Sequence, residues 1–177
     1  MCICREMQLS FCRPYIIIKS SERAYGSRFG TTSKEDTPMV QIIAGEKGKG
    51  KTKILLDKVN ADVVTSKGTI VYLDKSNKHM YELNNKIRLI NVNDYCVECA
   101  SEFVGFICGI ISQDHDLEKI YLDSFLKIAC MSVDDIDRVI EKLDMVSAKF
   151  KVDIIISLSA NADTLSEVVK QKVIVAL

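Results

Sequence analysis

From Val40 to Leu177 the chain alternates between two patterns: short, nearly continuous apolar runs, and longer stretches in which apolar residues return every three or four positions. "VQIIA" reads as a buried strand. "KTKILLDKV" follows, with Ile54, Leu55, Leu56 and Val59 on one face of a helix that ends before Gly68. "TIVYLD" and "IRLINV" (residues 87–92) are rich in β-branched residues and read as strands. "VECASEFVGFICGIIS" carries apolar side chains nearly all round a helix, which predicts deep burial between other elements. "KIYLD" is the next strand, ending on Asp123. "SVDDIDRVIEKLDMVSAKF" predicts an amphipathic helix capped by Ser132, with Ile136, Val139, Ile140, Leu143 and Val146 facing a sheet. "VDIIISLS" has the unbroken apolar character of a parallel strand covered on both faces. "TLSE" (164–167) has capping-box spacing for a short last helix, and "VIVAL" closes as a strand. Strands alternating with helices need crossover connections, so the expected fold is α/β: a mainly parallel sheet with helices on both faces.

Residues 1–38 lack this regularity. They mix scattered charges with a single short apolar run, "YIIIK", and end on Pro38. The expected organisation is therefore a poorly structured extension over 1–38, not required to be native, and one domain over 39–177, with Met39 as the start expected for the native protein. At 177 residues and 47% hydrophobic, the chain holds enough apolar material for one substantial core. Lys+Arg and Asp+Glu balance at 24 each, which argues against a nucleic-acid partner recruited by a global basic field. No apolar run approaches a membrane span and the first residues lack a secretory pattern, so the expected location is cytoplasmic. The seven cysteines are then expected reduced. Cys96 and Cys99 form one CxxC without the second half that zinc requires, and neither His79 nor His115 has a partner at ligand spacing in the sequence.

Between the first strand and the first helix lies "GEKGKGKT", Gly45 to Thr52, which fits G-x-x-x-x-G-K-[ST] in full. Each part has a physical purpose. Glycines allow backbone amides to turn inward as an anion nest, and the helix N-terminus adds its dipole. Lys51 reaches the terminal phosphates and the Thr52 hydroxyl ligates magnesium. The nucleotide-binding residues expected are Gly45, Glu46, Lys47, Gly48, Lys49, Gly50, Lys51 and Thr52. Glu46, Lys47 and Lys49 read mainly as solvated loop charges, with Lys47 or Lys49 able to lean on the phosphates.

Such a loop needs an acid at the end of a neighbouring strand to help hold Mg2+. Asp74 ends "IVYLD" and Asp123 ends "KIYLD". Asp123 is preferred, because in P-loop proteins with an additional strand the acid lies beyond the first crossover; Asp74 remains the alternative. Lys51 and Asp123 are the expected catalytic residues, and Thr52 and Asp123 the expected metal ligands. Ser124 stands where many ATPases of this division carry a glutamate base, so slow hydrolysis is expected. Ser157, Ser159 and Asn161 are candidate sensors of the terminal phosphate, or simply a strand end and a cap.

"IIAGEKGKGKT", "IVYLDKSNKHMYELNNKIRLINVNDY", "FICGIISQDHDLEKIYLDSFLKI" and "FKVDIIISLSAN" together resemble small bacterial P-loop ATP-binding proteins often labelled twitching-motility ATPases. The resemblance covers residues 39–177 and implies a RecA-like, additional-strand P-loop fold that binds ATP and Mg2+. Pilus-retraction ATPases are larger and carry acidic and histidine boxes absent here, so pilus retraction is not implied. Asn77-Lys78 is followed by Met80 where a guanine-reading Asp would stand, which leaves adenine nucleotide by elimination. Three readings follow: a weak ATPase; a nucleotide-dependent switch for an unknown protein partner; or a small-molecule phosphotransferase with its acceptor near Asp74, His79 and Tyr81. A homo-oligomer would allow Arg88 or Arg138 to complete a neighbour's site.

Overall fold

The computed structural model describes residues 40–177; the expected 1–38 extension lies outside the described residues. Six strands form one all-parallel sheet: β1 (Val40–Ala44), β2 (Thr69–Asp74), β3 (Ile87–Asn91), β4 (Leu117–Leu122), β5 (Asp153–Leu158) and β6 (Val173–Ala176). Their order across the sheet is β3-β2-β4-β5-β1-β6. The helices are α1 (Lys51–Thr65), α2 (Ala100–Gln113), α3 (Phe125–Ile128), α4 (Ile136–Phe150) and α5 (Glu167–Lys170).

Strand alternation sorts the core into two layers. Val40, Ile42, Val71, Leu73, Ile120, Leu122, Ile154 and Ile156 point to one face, where they meet Phe103 and Ile107 of α2 and Val139, Ile140 and Leu143 of α4. Ile43, Ile70, Tyr72, Tyr121 and Ile155 point to the other, where α1 covers them with Leu55, Leu56 and Val59. Helices therefore lie on both faces, as the continuous apolar runs require. Because all strands run the same way, β1, β2, β4 and β5 deliver their carboxyl ends to a single edge.

Three local expectations are corrected. Helix α2 buries only Phe103, Ile107, Ile110 and Ile111; Gly105 and Gly109 face outward with open space, so its apolar count overstated its buried surface. Ser132 precedes a single 3-10 turn rather than capping α4, and its hydroxyl donates to Asp135 Oδ2 at 3.0 Å. The cap of α5 is Ser166, whose hydroxyl accepts from Val169 N, while the Thr164 hydroxyl donates back to the Asn161 carbonyl. In the last two cases the hydroxyl that the sequence offered bonds to an oxygen acceptor rather than to a helix amide.

A polar clasp fixes α1 to the sheet. Asp62 accepts from the Tyr121 hydroxyl and from Lys119 Nζ at 2.9 Å, both on β4. Burial works to raise the Asp62 carboxyl, but the bonds from Tyr121 and Lys119 outweigh it and hold the carboxyl below its ordinary value. A depressed carboxyl contributes stability that is present above its unfolded pKa and lost as pH falls through the folded value. Asp62→Asn is therefore expected to cost about 1–3 kcal/mol at neutral pH, with the gap to wild type narrowing below about pH 4. Urea denaturation of both proteins at neutral and acid pH checks this; a gap independent of pH would refute it.

Candidate functional site

The first strand ends on Ala44 and the chain leaves the sheet through a loop, 45–50, buried at Gly45 and exposed from Glu46 to Gly50, before α1 starts on Lys51. Gly48 and Gly50 take φ of 89° and 86°, the left-handed region where a side chain is strained. A Cβ on either would meet nothing within 4 Å, so backbone conformation, not crowding, explains these two glycines. Gly45 has a different reason: a Cβ there would stand 2.8 Å from the Leu177 carbonyl oxygen, where the chain leaving β6 crosses it. Its amide donates to the Leu158 carbonyl at 3.2 Å, so Gly45 joins the loop to the sheet.

Within the loop, Lys49 N donates to the Glu46 carbonyl at 3.4 Å. The amides of Gly48, Gly50, Lys51 and Thr52 donate to no main-chain carbonyl among the described residues. They are a row of donors at a helix N-terminus, the backbone arrangement that binds anions. Lys51 is only 6% exposed, and its Nζ donates to the Glu46 carbonyl at 2.7 Å. Burial lowers its pKa, and the charge of Asp123 partly offsets that.

The Thr52 hydroxyl reaches across to Asp123, donating to Oδ2 at 3.0 Å and Oδ1 at 3.2 Å. Asp123 is 2% exposed, and the Ser124 amide donates to its Oδ1 at 2.8 Å. Ser124 adopts φ 53°, a left-handed turn that starts α3 and aims its own amide back at the acid. Asp74, also 2% exposed, ends the neighbouring strand β2; the register Leu73↔Leu122 places it beside Asp123. Burial raises the Asp74 carboxyl, the Lys75 amide opposes this, and the charge of Asp123 raises it further.

Lys51, Thr52, Asp123 and Ser124 line a cavity of about 460 Å³, and Asp74 stands outside its lining. Of the residues expected from the motif, Lys47, Gly48, Gly50, Lys51 and Thr52 face it together with Asp123; Gly45, Glu46 and Lys49 do not. Ser157 and Ser159 from the end of β5 also face it, whereas Asn161 does not. Two lysines escaped the sequence reading. Lys75, next to Asp74, and Lys127, in α3, complete the wall. The nearby Lys75 amine, and after it the charge of Lys47, lowers the Lys127 pKa. Like charges converging on a cavity form an anion site. Both lysines follow strand ends at the carboxyl edge of the sheet, where ligands collect, and that position was the signal available in the sequence.

A second cavity, about 410 Å³, lies beside α1 and is bordered by Thr52, Leu56, Asn60, His79 and Glu82. Tyr81 is 91% exposed and does not join it. Arg88, on edge strand β3, and Arg138, on α4, border other clefts and do not face the loop cavity. Among the described residues, no helix is long and apolar enough to cross a membrane.

No family model matches this chain, and no curated protein matches it in sequence. Functional inference therefore rests on the geometry of this edge.

Proposed function

We propose that this chain binds ATP with Mg2+ through the Gly45–Thr52 loop and hydrolyses it slowly. The observation that carries the reading is the meeting of Thr52 and Asp123, 71 residues apart in sequence and 3.0 Å apart in space, beside a row of amides that donate to no main-chain carbonyl among the described residues. A hydroxyl and a carboxylate are hard oxygen donors of the type Mg2+ takes, so the residues fit the ion. Bound there, Mg2+ would neutralise developing charge on the terminal phosphates. Lys51 would contact the β- and γ-phosphates, leaving the Glu46 carbonyl to do so. Lys47, Lys75 and Lys127 supply positive charge from the same chain, as an arginine from a neighbour does in other P-loop proteins.

The position of β5 between β1 and β4 supports an additional-strand, RecA-like P-loop arrangement, since it separates the loop strand from the acid strand. Slow turnover follows from Ser124: its hydroxyl is a poor base, and its amide is committed to orienting Asp123. The second cavity beside Thr52 favours one further reading, a phosphotransferase whose acceptor enters next to α1.

A thermal-shift panel of ATP, ADP, GTP and deoxynucleotides, each with and without Mg2+, tests the reading. At 100 times its Kd, a ligand adds about 2.7 kcal/mol to the folded state, which is a rise of about 5–10 °C at this size. ATP with Mg2+ is expected to give that rise and GTP less, with slow phosphate release afterwards. Binding without release would favour a switch. Absence of a shift with every nucleotide would reject the proposal.

A further inference from the structure

The nucleotide reading uses Asp123 but gives no role to two side chains beside it, Asp74 and His79. His79 comes from the segment joining β2 to β3. One ring nitrogen of His79 and one carboxylate oxygen from each of Asp74 and Asp123 all lie within 4.8 Å of one another. Two carboxylates buried side by side repel each other unless a positive charge joins them.

Two separate observations point to what that charge is. Glu82 Oε1 lies 2.8 Å from His79 Nδ1. A carboxylate on one imidazole nitrogen fixes the tautomer and leaves the other, here Nε2, as a basic ligand, the arrangement that commonly supports metal-bound histidine. On the strand that carries Asp74, the Tyr72 hydroxyl is wholly buried and has no hydrogen-bond partner among the described residues. Tyr72 precedes Asp74 by two positions and so shares its face of β2, and the charges of Asp123, Asp74 and Glu82 all act on its hydroxyl. A buried, unpartnered polar group next to a ligand-rich cluster is what a bound ion or its water would satisfy.

We propose that Asp74, His79 and Asp123 form a site for a divalent first-row transition ion, such as Mn2+, Co2+ or Zn2+, adjacent to the magnesium position at Thr52. One imidazole and two carboxylates suit these ions, whereas Mg2+ and Ca2+ select oxygen donors alone. Donors about 2.1 Å from one ion stand about 3.0–3.4 Å apart, so binding draws the three side chains closer together. Asp123 has two oxygens and would belong to both positions, which couples the transition-ion site to the nucleotide. The ligands all come from the folded chain, so the site does not depend on nucleotide being bound.

The test uses the full chain, free of nucleotide, titrated with Co2+ alone and followed by visible absorption and calorimetry. One ion per chain is expected, with weak d–d bands and no thiolate charge-transfer band. His79→Ala and Asp74→Asn should each weaken Co2+ binding by at least about tenfold, and Glu82→Gln should weaken it less. His79 is 27% exposed, so His79→Ala folds even where a buried substitution fails, and its melting curve verifies this. The two proposals fail separately: Lys51→Ala should lose ATP and keep Co2+, while His79→Ala should lose Co2+ and keep its response to ATP with Mg2+. Unchanged Co2+ affinity in His79→Ala, or a thiolate band that survives it, would overturn the inference.

Discussion

Lys51→Ala is expected to weaken ATP binding by about 10–150-fold while leaving the free protein as stable as wild type, or more so. The two halves of this expectation have one cause. Lys51 is an ammonium group held in a 6% exposed position, where its Nζ donates to a neutral carbonyl of its own loop. In the free protein its burial is unfavourable, which is why its pKa is lowered. The charge of Asp123 offsets this only in part, and an anion in the loop cavity would make the placement favourable. A hydrogen bond to a charged group contributes about 1.5–3 kcal/mol, and this sets the range of the affinity loss. Calorimetric titration of ATP with Mg2+ into both proteins, beside their melting curves, reads both quantities. A variant that melted well below wild type would make Lys51 a structural residue.

Asp123→Asn is expected to abolish the Mg2+ dependence of nucleotide binding and to lower phosphate release by about 10²–10³-fold. The amide keeps the shape of the carboxylate, and its one oxygen, at the Oδ1 position, can accept from both the Ser124 amide and the Thr52 hydroxyl, so the local fold should survive. What disappears is the negative charge. Removing it also relieves the repulsion between two acids that are each 2% exposed, so the free variant should melt at or above the wild-type temperature. Comparing ATP affinity with and without Mg2+ in wild type and variant decides the point: an equal Mg2+ effect in both would remove Asp123 from the metal site.

The loop was legible because its chemistry is contiguous. Gly48, Gly50, Lys51 and Thr52 are neighbours in sequence, and the strand before them and the helix after them show their own periodicities. The sheet was legible as parallel for a similar reason, since continuous apolar runs mark strands covered on both faces. Contacts across strands were not. Asp74 and Asp123 looked like rivals for one role, because nothing in the sequence states that β2 and β4 pair with Leu73 opposite Leu122. Once paired, they stand side by side, and His79 joins them from a segment that looked like an ordinary loop. Lys127 was hidden in the same way, as it meets Lys75 only because β2 and β4 end together. Ser132 and Thr164 show the opposite failure. Both had capping sequences, yet the Ser132 hydroxyl bonds to the Asp135 carboxylate and that of Thr164 to the Asn161 carbonyl; at α5 Ser166 caps instead, and α4 has no side-chain cap.

The charge arrangement around the cavity connects these observations. Lysines 47, 51, 75 and 127 line it together with Asp123, and Asp74 stands beside Asp123 at the neighbouring strand end. A polyphosphate with a divalent cation is complementary to both kinds of charge at once. Neither kind is well placed in the free protein: Lys75 and Lys47 repel Lys127, and the two acids are buried together. Such strain is what a ligand-binding edge carries and a purely structural edge avoids.

The most direct measurement is an amide NMR titration of the 15N-labelled chain with a non-hydrolysable ATP analogue and Mg2+. The account predicts that the largest shifts fall on the amides of Gly48, Gly50, Lys51 and Thr52, with Ser124 following through Asp123. Nucleotide binding that left those four amides unmoved, or a titration without any shift at all, would contradict it.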